Sequence, residues 1–125
     1  MSLKYDLSDP NITQKIAELP EKMLEWAFEV LMKQAQLIRD LAKVYVLVDT
    51  GALRDSIRIE RGGIGKHWRQ VKIRAGGYVT NPKTGKRVNY ALWVEMHSPF
   101  MLPALREVEP TIAEMIKAAV VEQAQ

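Results

Sequence analysis

Apolar residues recur at spacings of three and four between residues 21 and 48, which predicts one long amphipathic helix. A second row of apolar residues widens this stripe to more than half of the helix circumference, so more than one neighbour is needed to cover it. The first row comprises Leu24, Phe28, Leu31, Ala35, Ile38, Ala42 and Tyr45, and the second comprises Trp26, Val30, Leu37 and Leu41.

The chain before this helix carries a helix-start signal of its own. Ser8, Asp9 and Pro10 form a typical helix N-terminus, so residues 1–20 are predicted to be a helical lead-in. Pro20 then either kinks the helix or occupies the first turn of the long one, because proline lacks the amide hydrogen that a helix interior needs.

Between residues 49 and 97 the apolar period changes from helical to alternating. Ile57 and Ile59 alternate with charged residues, and Val71 and Ile73 do the same, which predicts two amphipathic strands with a basic polar face. The glycine-rich residues 62–65 are predicted to form a flexible turn between these strands. Residues 88–94 are apolar and aromatic, and they fit either a further strand or a short helix.

Residues 98–125 predict a C-terminal helix. Leu105, Val108 and Ile112 fall on one of its faces, and Pro110 should kink or restart it. The whole chain, 1–125, is therefore predicted to be a single domain of the α+β class. In it a long N-terminal helix and a C-terminal helix pack on a small antiparallel sheet of three to four strands.

The composition is that of an ordinary soluble globular protein, with 47% apolar and 26% charged residues in a chain of 125. Its apolar runs are far shorter than the roughly 20 residues of a membrane span, and we expect neither a leader nor a membrane partner. With no cysteine in the chain, disulfides, thiolate metal sites and a cysteine nucleophile are excluded.

The net charge of +3 is unevenly distributed along the chain. Residues 1–53 carry −2, residues 54–87 carry +8 and residues 88–125 carry −3. The basic middle fits a surface that faces phosphate or an acidic protein neighbour, and it also fits the solvated face of a sheet.

One tripeptide resembles an enzyme motif. Asp49-Thr50-Gly51 matches the active-site tripeptide of retroviral-type aspartic proteases, in which two chains would each supply one carboxylate to a dyad. Those proteases are almost wholly β, whereas a long helix precedes the tripeptide here, so a cap or turn is the preferred interpretation. His67 and His97 lack metal-ligand spacing. We predict no catalytic residue, metal site or cofactor.

Three segments, residues 49–57, 90–95 and 99–105, together resemble the head-to-tail joining family of long-tailed phages and prophages, the neck or tail-completion proteins. The resemblance covers about residues 45–120, and the chain departs from the family pattern at Met96-His97-Ser98, where an aromatic-Gly-Thr turn is expected. The matching positions, which we interpret as structural, are Thr50, Gly51, Leu53, Ser56, Tyr90, Glu95, Pro99, Phe100 and Pro103.

The resemblance implies a structural, non-enzymatic subunit of a ring at the head–tail junction. Such a subunit would contact copies of itself and neighbouring head-closure and tail proteins, in the host cytoplasm during assembly and then in the virion neck or tail. A tail-terminator ring protein and a non-specific DNA-binding module are the alternatives, and the protease is a weaker one.

The sequence also nominates contact surfaces. Trp26, Val30, Leu37 and Leu41 are candidates for the subunit interface, and Glu95 should need a polar partner, for which we expect an arginine of the basic strands. Transient, non-specific contact with DNA, or contact with an acidic neighbouring ring, is assigned to Arg58, Lys72, Arg74, Lys83, Lys86 and Arg87.

Overall fold

A four-stranded antiparallel sheet forms one layer of the protein. The computed structural model describes residues 2–8, 11–46, 51–65, 67–76 and 91–124. The strands are β1 (Ser2–Ser8), β2 (Asn11–Ala17), β3 (Arg58–Gly65) and β4 (Trp68–Arg74), and their spatial order is β1-β2-β4-β3.

Helices form the second layer. They are α1 (Glu21–Tyr45), α2 (Ala52–Ser56), α3 (Ala91–His97) and α4 (Met101–Ala124). The two long helices, α1 and α4, lie side by side and run in opposite directions, since Tyr45 hydrogen-bonds Glu107 and Gln34 contacts Met115. The architecture is α+β with an N-terminal helix, a C-terminal helix and a four-stranded antiparallel sheet, as the sequence predicted.

The predicted helical lead-in over residues 1–20 is wrong, because this part of the chain contains β1 and β2. Side chains in β2 alternate strictly between buried and half-buried, with Ile12, Gln14 and Ile16 on the buried face. A period of two satisfies a sheet and cannot satisfy a helix face. Half of the sheet therefore precedes α1, and Pro20 stands at the N-cap of that helix.

The predicted turn over residues 62–65 is also wrong, since the glycines belong to strand β3. The register between β3 and β4 shifts between Arg61 and Ile64. The indole of Trp68 occupies the space that side chains at Gly63 and Gly65 would need. Glycine here makes room for a tryptophan on the neighbouring strand.

Two helix boundaries and the course of α4 refine the sequence prediction. The long helix ends at Tyr45, and the ambiguous apolar stretch of residues 88–94 contributes its last four residues to helix α3. Helix α4 is continuous across Pro110, so it does not restart there.

The core lies between the two layers. The inner face of the central strands, formed by Ile12, Ile16, Val71 and Ile73, is fully covered, and all four residues are at most 1% exposed. The helices cover it with Leu24, Leu31, Ile38, Leu105, Ile112 and Ile116. Among the described helices none is long and apolar enough to cross a membrane.

Candidate functional site

The described residues of the first family motif form a tight corner, consisting of Gly51 and the short helix α2, directly before β3. Gly51 has a φ of 83°, a left-handed conformation that glycine adopts without strain. Its carbonyl accepts the backbone N–H of Asp55 at 2.8 Å, which closes the single turn of α2. Leu53 points into the core with 3% exposure. Thr50 lies outside the described residues.

Ser56 joins this corner to the end of β4. Its hydroxyl donates to the Leu53 carbonyl at 2.6 Å and accepts the backbone N–H of Gly76 at 2.8 Å. Arg58 adds a second link, because its Nη1 donates to the carbonyls of Ser56 and Gly76 at 3.0 and 2.8 Å. Gly51, Leu53 and Ser56 therefore fix how α2 meets the sheet.

Glu95 caps helix α4. Its carboxylate accepts the backbone N–H groups of Phe100, Met101 and Leu102 at 2.8, 3.1 and 3.0 Å. The expected arginine partner is wrong, because three helix-end amides already satisfy this nearly buried acid. A negative charge at a helix N-terminus is also favoured by the helix dipole.

The third motif, residues 99–105, follows helix α3 and begins helix α4. Phe100 is fully buried, and Pro103 lies in the first turn of α4, where a missing amide hydrogen costs nothing. Pro99 is exposed just before the helix. Tyr90 lies outside the described residues. The motif residues that the structure describes thus form a corner and a helix cap.

Three basic residues of β3 and β4, Arg58, Lys72 and Arg74, lie together on the sheet face turned away from the helices, called the outer face below. Arg58 pairs with Glu60 at 3.0 Å, and Arg74 Nε lies 2.8 Å from the same carboxylate, though too poorly aligned for a hydrogen bond. Lys72 is half-buried on this face. The other three nominated basic residues, Lys83, Lys86 and Arg87, lie outside the described residues.

Two lysines that sequence reasoning missed complete the outer face. Lys4 of β1 stands directly opposite Lys15 of β2, and the Lys15 ammonium lies 4.8 Å from the centre of the Trp68 ring. Both were hidden by the mistaken helical prediction for residues 1–20. The alternation in β2 was the signal that could have revealed them.

Among the described strand residues, Arg61 and Arg69 are basic and turned to the inner face, and the Arg61 guanidinium lies 5.7 Å from the centre of the Phe28 ring on α1. Arg69 is the more buried of the two. Its side chain is 6% exposed, and its Nη2 lies 2.6 Å from the carboxylate of Glu25 on α1. Nη1 also donates to the Trp68 carbonyl at 2.9 Å. This arginine fastens α1 to the sheet and is unavailable to a partner.

The nominated interface residues lie along α1. Leu37 is 51% exposed, while Trp26, Val30 and Leu41 are half-buried. Leu37 is one turn from Gln34, whose amide contacts the sulfur of Met115 at 2.9 Å, and Met115 is itself 48% exposed. Leu37 of α1 and Met115 of α4 are therefore exposed apolar residues linked through Gln34, and this pair is called the apolar ridge below.

Two tyrosines have raised pKa values. Burial, with a smaller contribution from the carboxylate of Glu109, raises the pKa of Tyr5 to about 12. The hydrogen bond that Tyr45 donates to Glu107, 2.6 Å long, raises the pKa of the Tyr45 phenol. Both phenols are neutral at physiological pH, and neither has the depressed pKa of an activated nucleophile.

A cleft of about 190 Å³ opens beside the start of α4. Its walls are mainly apolar and include Leu7, Ile12, Met96 and Leu102, and its one carboxylate, Glu95, is committed to the helix cap. Within the described ranges no three His, Asp or Glu residues group as metal ligands. His67 and His97 are both exposed, and Asp49 lies outside those ranges.

These features define an α+β protein whose described motif residues are architectural: they set a corner and cap a helix. A family model described as "Bacteriophage HK97-gp10, putative tail-component" matches residues 11–96. The chain therefore belongs to the HK97-gp10-like family of phage tail components, and its partners include other virion proteins. Neither a curated protein nor a solved structure matches the chain.

Proposed function

We propose that this protein is a ring subunit at the head–tail junction of the virion, in a neck or tail-completion role. Membership of a phage tail family supports a structural component. The observation that carries the ring is the apolar ridge, where Leu37 and Met115 are each about half exposed. An exposed apolar surface on a small protein is typical of a protein contact.

The ridge also constrains the symmetry of assembly. It lies on the helical layer, whereas the sheet presents a different, basic surface on the opposite side. Two different surfaces that contact one another between identical chains form a heterologous interface, which closes into a ring when the rotation permits. A tail-terminator ring would use the same symmetry and differ in the proteins that it touches above and below.

We infer that the protein has no catalytic role. The described motif residues are engaged in helix geometry and capping, and the resemblance of Asp49-Thr50-Gly51 to a protease site is the remaining alternative. Peptidase activity at acidic pH that is lost in Asp49→Asn would overturn this inference. We expect that variant to keep its fold, with a loss of at most about 2 kcal/mol if a cap is removed.

DNA contact, on this proposal, is transient. A channel through which DNA slides should bind weakly, without sequence preference and with strong salt dependence. Tight, sequence-selective duplex binding at physiological salt would favour a DNA-binding module instead.

The proposal is tested by the assembly state of the purified protein and by its position in the virion. Purified protein at high concentration should show closed rings in negative-stain electron micrographs. Gold-labelled antibody against the protein should bind virions at the junction of head and tail. Label along the tail tube or at its distal tip would contradict the neck or tail-completion role.

A further inference from the structure

The outer face of the sheet carries an excess of positive charge. Across four strands it presents five cations and two carboxylates. Glu60 is shared by Arg58 and Arg74. In the part of the chain that the structure describes, no carboxylate forms an ion pair with the other three cations, which are Lys4, Lys15 and Lys72.

The arrangement of two of these lysines is unfavourable in an isolated subunit. Lys4 and Lys15 are direct cross-strand neighbours, and like charges at such positions destabilise a sheet. The Trp68 ring beside Lys15 is half-buried and adds apolar surface to the same face. A partner with carboxylates and apolar side chains would relieve the repulsion and cover the indole.

The helical layer carries the complementary pattern. Along α4, Glu107, Glu114 and Glu122 are exposed at spacings of seven and eight, so they form one acidic stripe. Glu107 accepts the Tyr45 hydroxyl of α1, which places the stripe on the side of α4 next to α1. Met115 of the apolar ridge follows Glu114 directly.

We propose that the outer face of one subunit docks on the helical layer of a second copy of this chain. Lys4, Lys15 and Lys72 then face the acidic stripe, and Trp68 packs on the apolar ridge of Leu37 and Met115. This inference rests on the proposed ring and names the two surfaces that meet in it. The contact is heterologous and repeats around the ring, because each subunit carries both surfaces on opposite sides.

A second copy fits this face better than a nucleic acid does. Asp6 and Glu60 lie among the lysines, and Glu18 lies beside Lys4 and Lys15. These carboxylates would repel phosphates, whereas a protein surface of mixed charge can accommodate them. The helical layer has cations that could pair with these carboxylates, since Lys33 of α1 and Lys117 of α4 are both exposed.

The size of the outer face predicts a weak pairwise contact. Strands of seven or eight residues and a width of four strands give a face of about 23 by about 19 Å, or about 440 Å², which is well below the roughly 800 Å² per partner of a standard interface. Association of two subunits should therefore need high concentration, and closure of the ring should add stability because every subunit then uses both surfaces.

Charge reversal tests this contact. Sedimentation equilibrium would compare the wild type with Lys15→Glu, Glu114→Lys and the variant that carries both changes. Arg106→Glu is the matched control, since Arg106 is an exposed cation of α4 away from the stripe. We expect each single reversal to weaken association about tenfold through like-charge repulsion, and the combined variant to regain most of it. The control should associate as the wild type does, and added salt should weaken wild-type association.

The outcomes separate this inference from the proposed function. Rings that form equally well in both single-reversal variants would overturn the docking surfaces and leave the ring itself standing. Loss of duplex DNA binding in Lys15→Glu with unchanged association would assign the outer face to the DNA channel and would also overturn it. A protein that never associates would instead contradict the proposed ring.

Discussion

The carboxylate of Glu95 accepts the backbone N–H of Phe100 at 2.8 Å and thereby joins the end of α3 to the start of α4. Two further amides of the same helix end bind this carboxylate. The geometry gives a physical reason for the spacing between Glu95 and the Pro99-Phe100 pair that follows it. The acid satisfies the amides at the start of the helix that this pair leads into.

Replacement of Glu95 should therefore destabilise the fold. Glu95→Ala leaves three helix-end amides without this acceptor, and we expect a loss of about 2 kcal/mol in the free energy of unfolding. Glu95→Gln keeps one acceptor oxygen and should lose about half as much. Urea denaturation followed by circular dichroism measures both. The exposed Glu114→Ala is the control, and an equal loss in it would contradict the capping role.

Gln14 should be replaceable with a gain in stability. Its side chain is fully buried on the inner face, and neither amide atom has a hydrogen-bond partner among the described residues. Gln14→Met removes the unsatisfied polar group at similar volume, so we expect about 1 kcal/mol of added stability. Thermal unfolding tests this expectation. A clear decrease in melting temperature would show that the amide is satisfied, for example by a buried water.

The stability cost of replacing a glycine of β3 should depend on Trp68. Gly65→Ala places a methyl group where the indole lies, and we expect a loss of about 1–3 kcal/mol from overpacking. In a Trp68→Ala background the same substitution should cost much less, because the obstruction is gone. Ile64→Ala, at a 67% exposed neighbour, should change stability by less than about 0.5 kcal/mol. Additive effects in the double-mutant cycle would contradict the contact.

Stability should fall at alkaline pH through Tyr5. Its pKa is about 12 in the folded protein against 10.0 for an unperturbed tyrosine. The folded state therefore holds the proton more tightly, so this stabilisation is complete below pH 10 and is lost as the pH rises through 12. Screening by solvent limits the loss to about 1 kcal/mol. Tyr5→Phe should remove this part of the pH dependence, and identical slopes in both proteins would contradict it.

The sequence predicted the layers of this fold better than the order of its elements. The long helix was visible because its apolar period persists over many turns, and α4 was visible for the same reason. The hairpin of β1 and β2 was missed because Ser8, Asp9 and Pro10 imitate a helix start. The polar Gln14 on the inner face also interrupts the alternation of Ile12 and Ile16.

The site was predictable in its residues and less so in its contacts. Gly51 and Ser56 were nominated by motif, and a tight bend at Gly51 was expected from residue type alone. The partner of Glu95 was wrong, because unpaired helix-end amides are invisible in a list of charged residues. Predicting that Lys4 and Lys15 are neighbours on the outer face requires the register between β1 and β2, and no local sequence pattern gives that register.

The most direct measurement of the central claim is sedimentation velocity across a wide concentration range, with Leu37→Glu on the apolar ridge. We expect the wild type to pass from monomers or small oligomers to rings as concentration rises. Leu37→Glu should remain folded by circular dichroism and stay monomeric. Ile64→Glu, at an exposed apolar residue away from the ridge, should assemble normally. A wild type that stays strictly monomeric at high concentration, together with a Leu37→Glu chain that unfolds, would show that Leu37 belongs to the ordinary core and would contradict the ring.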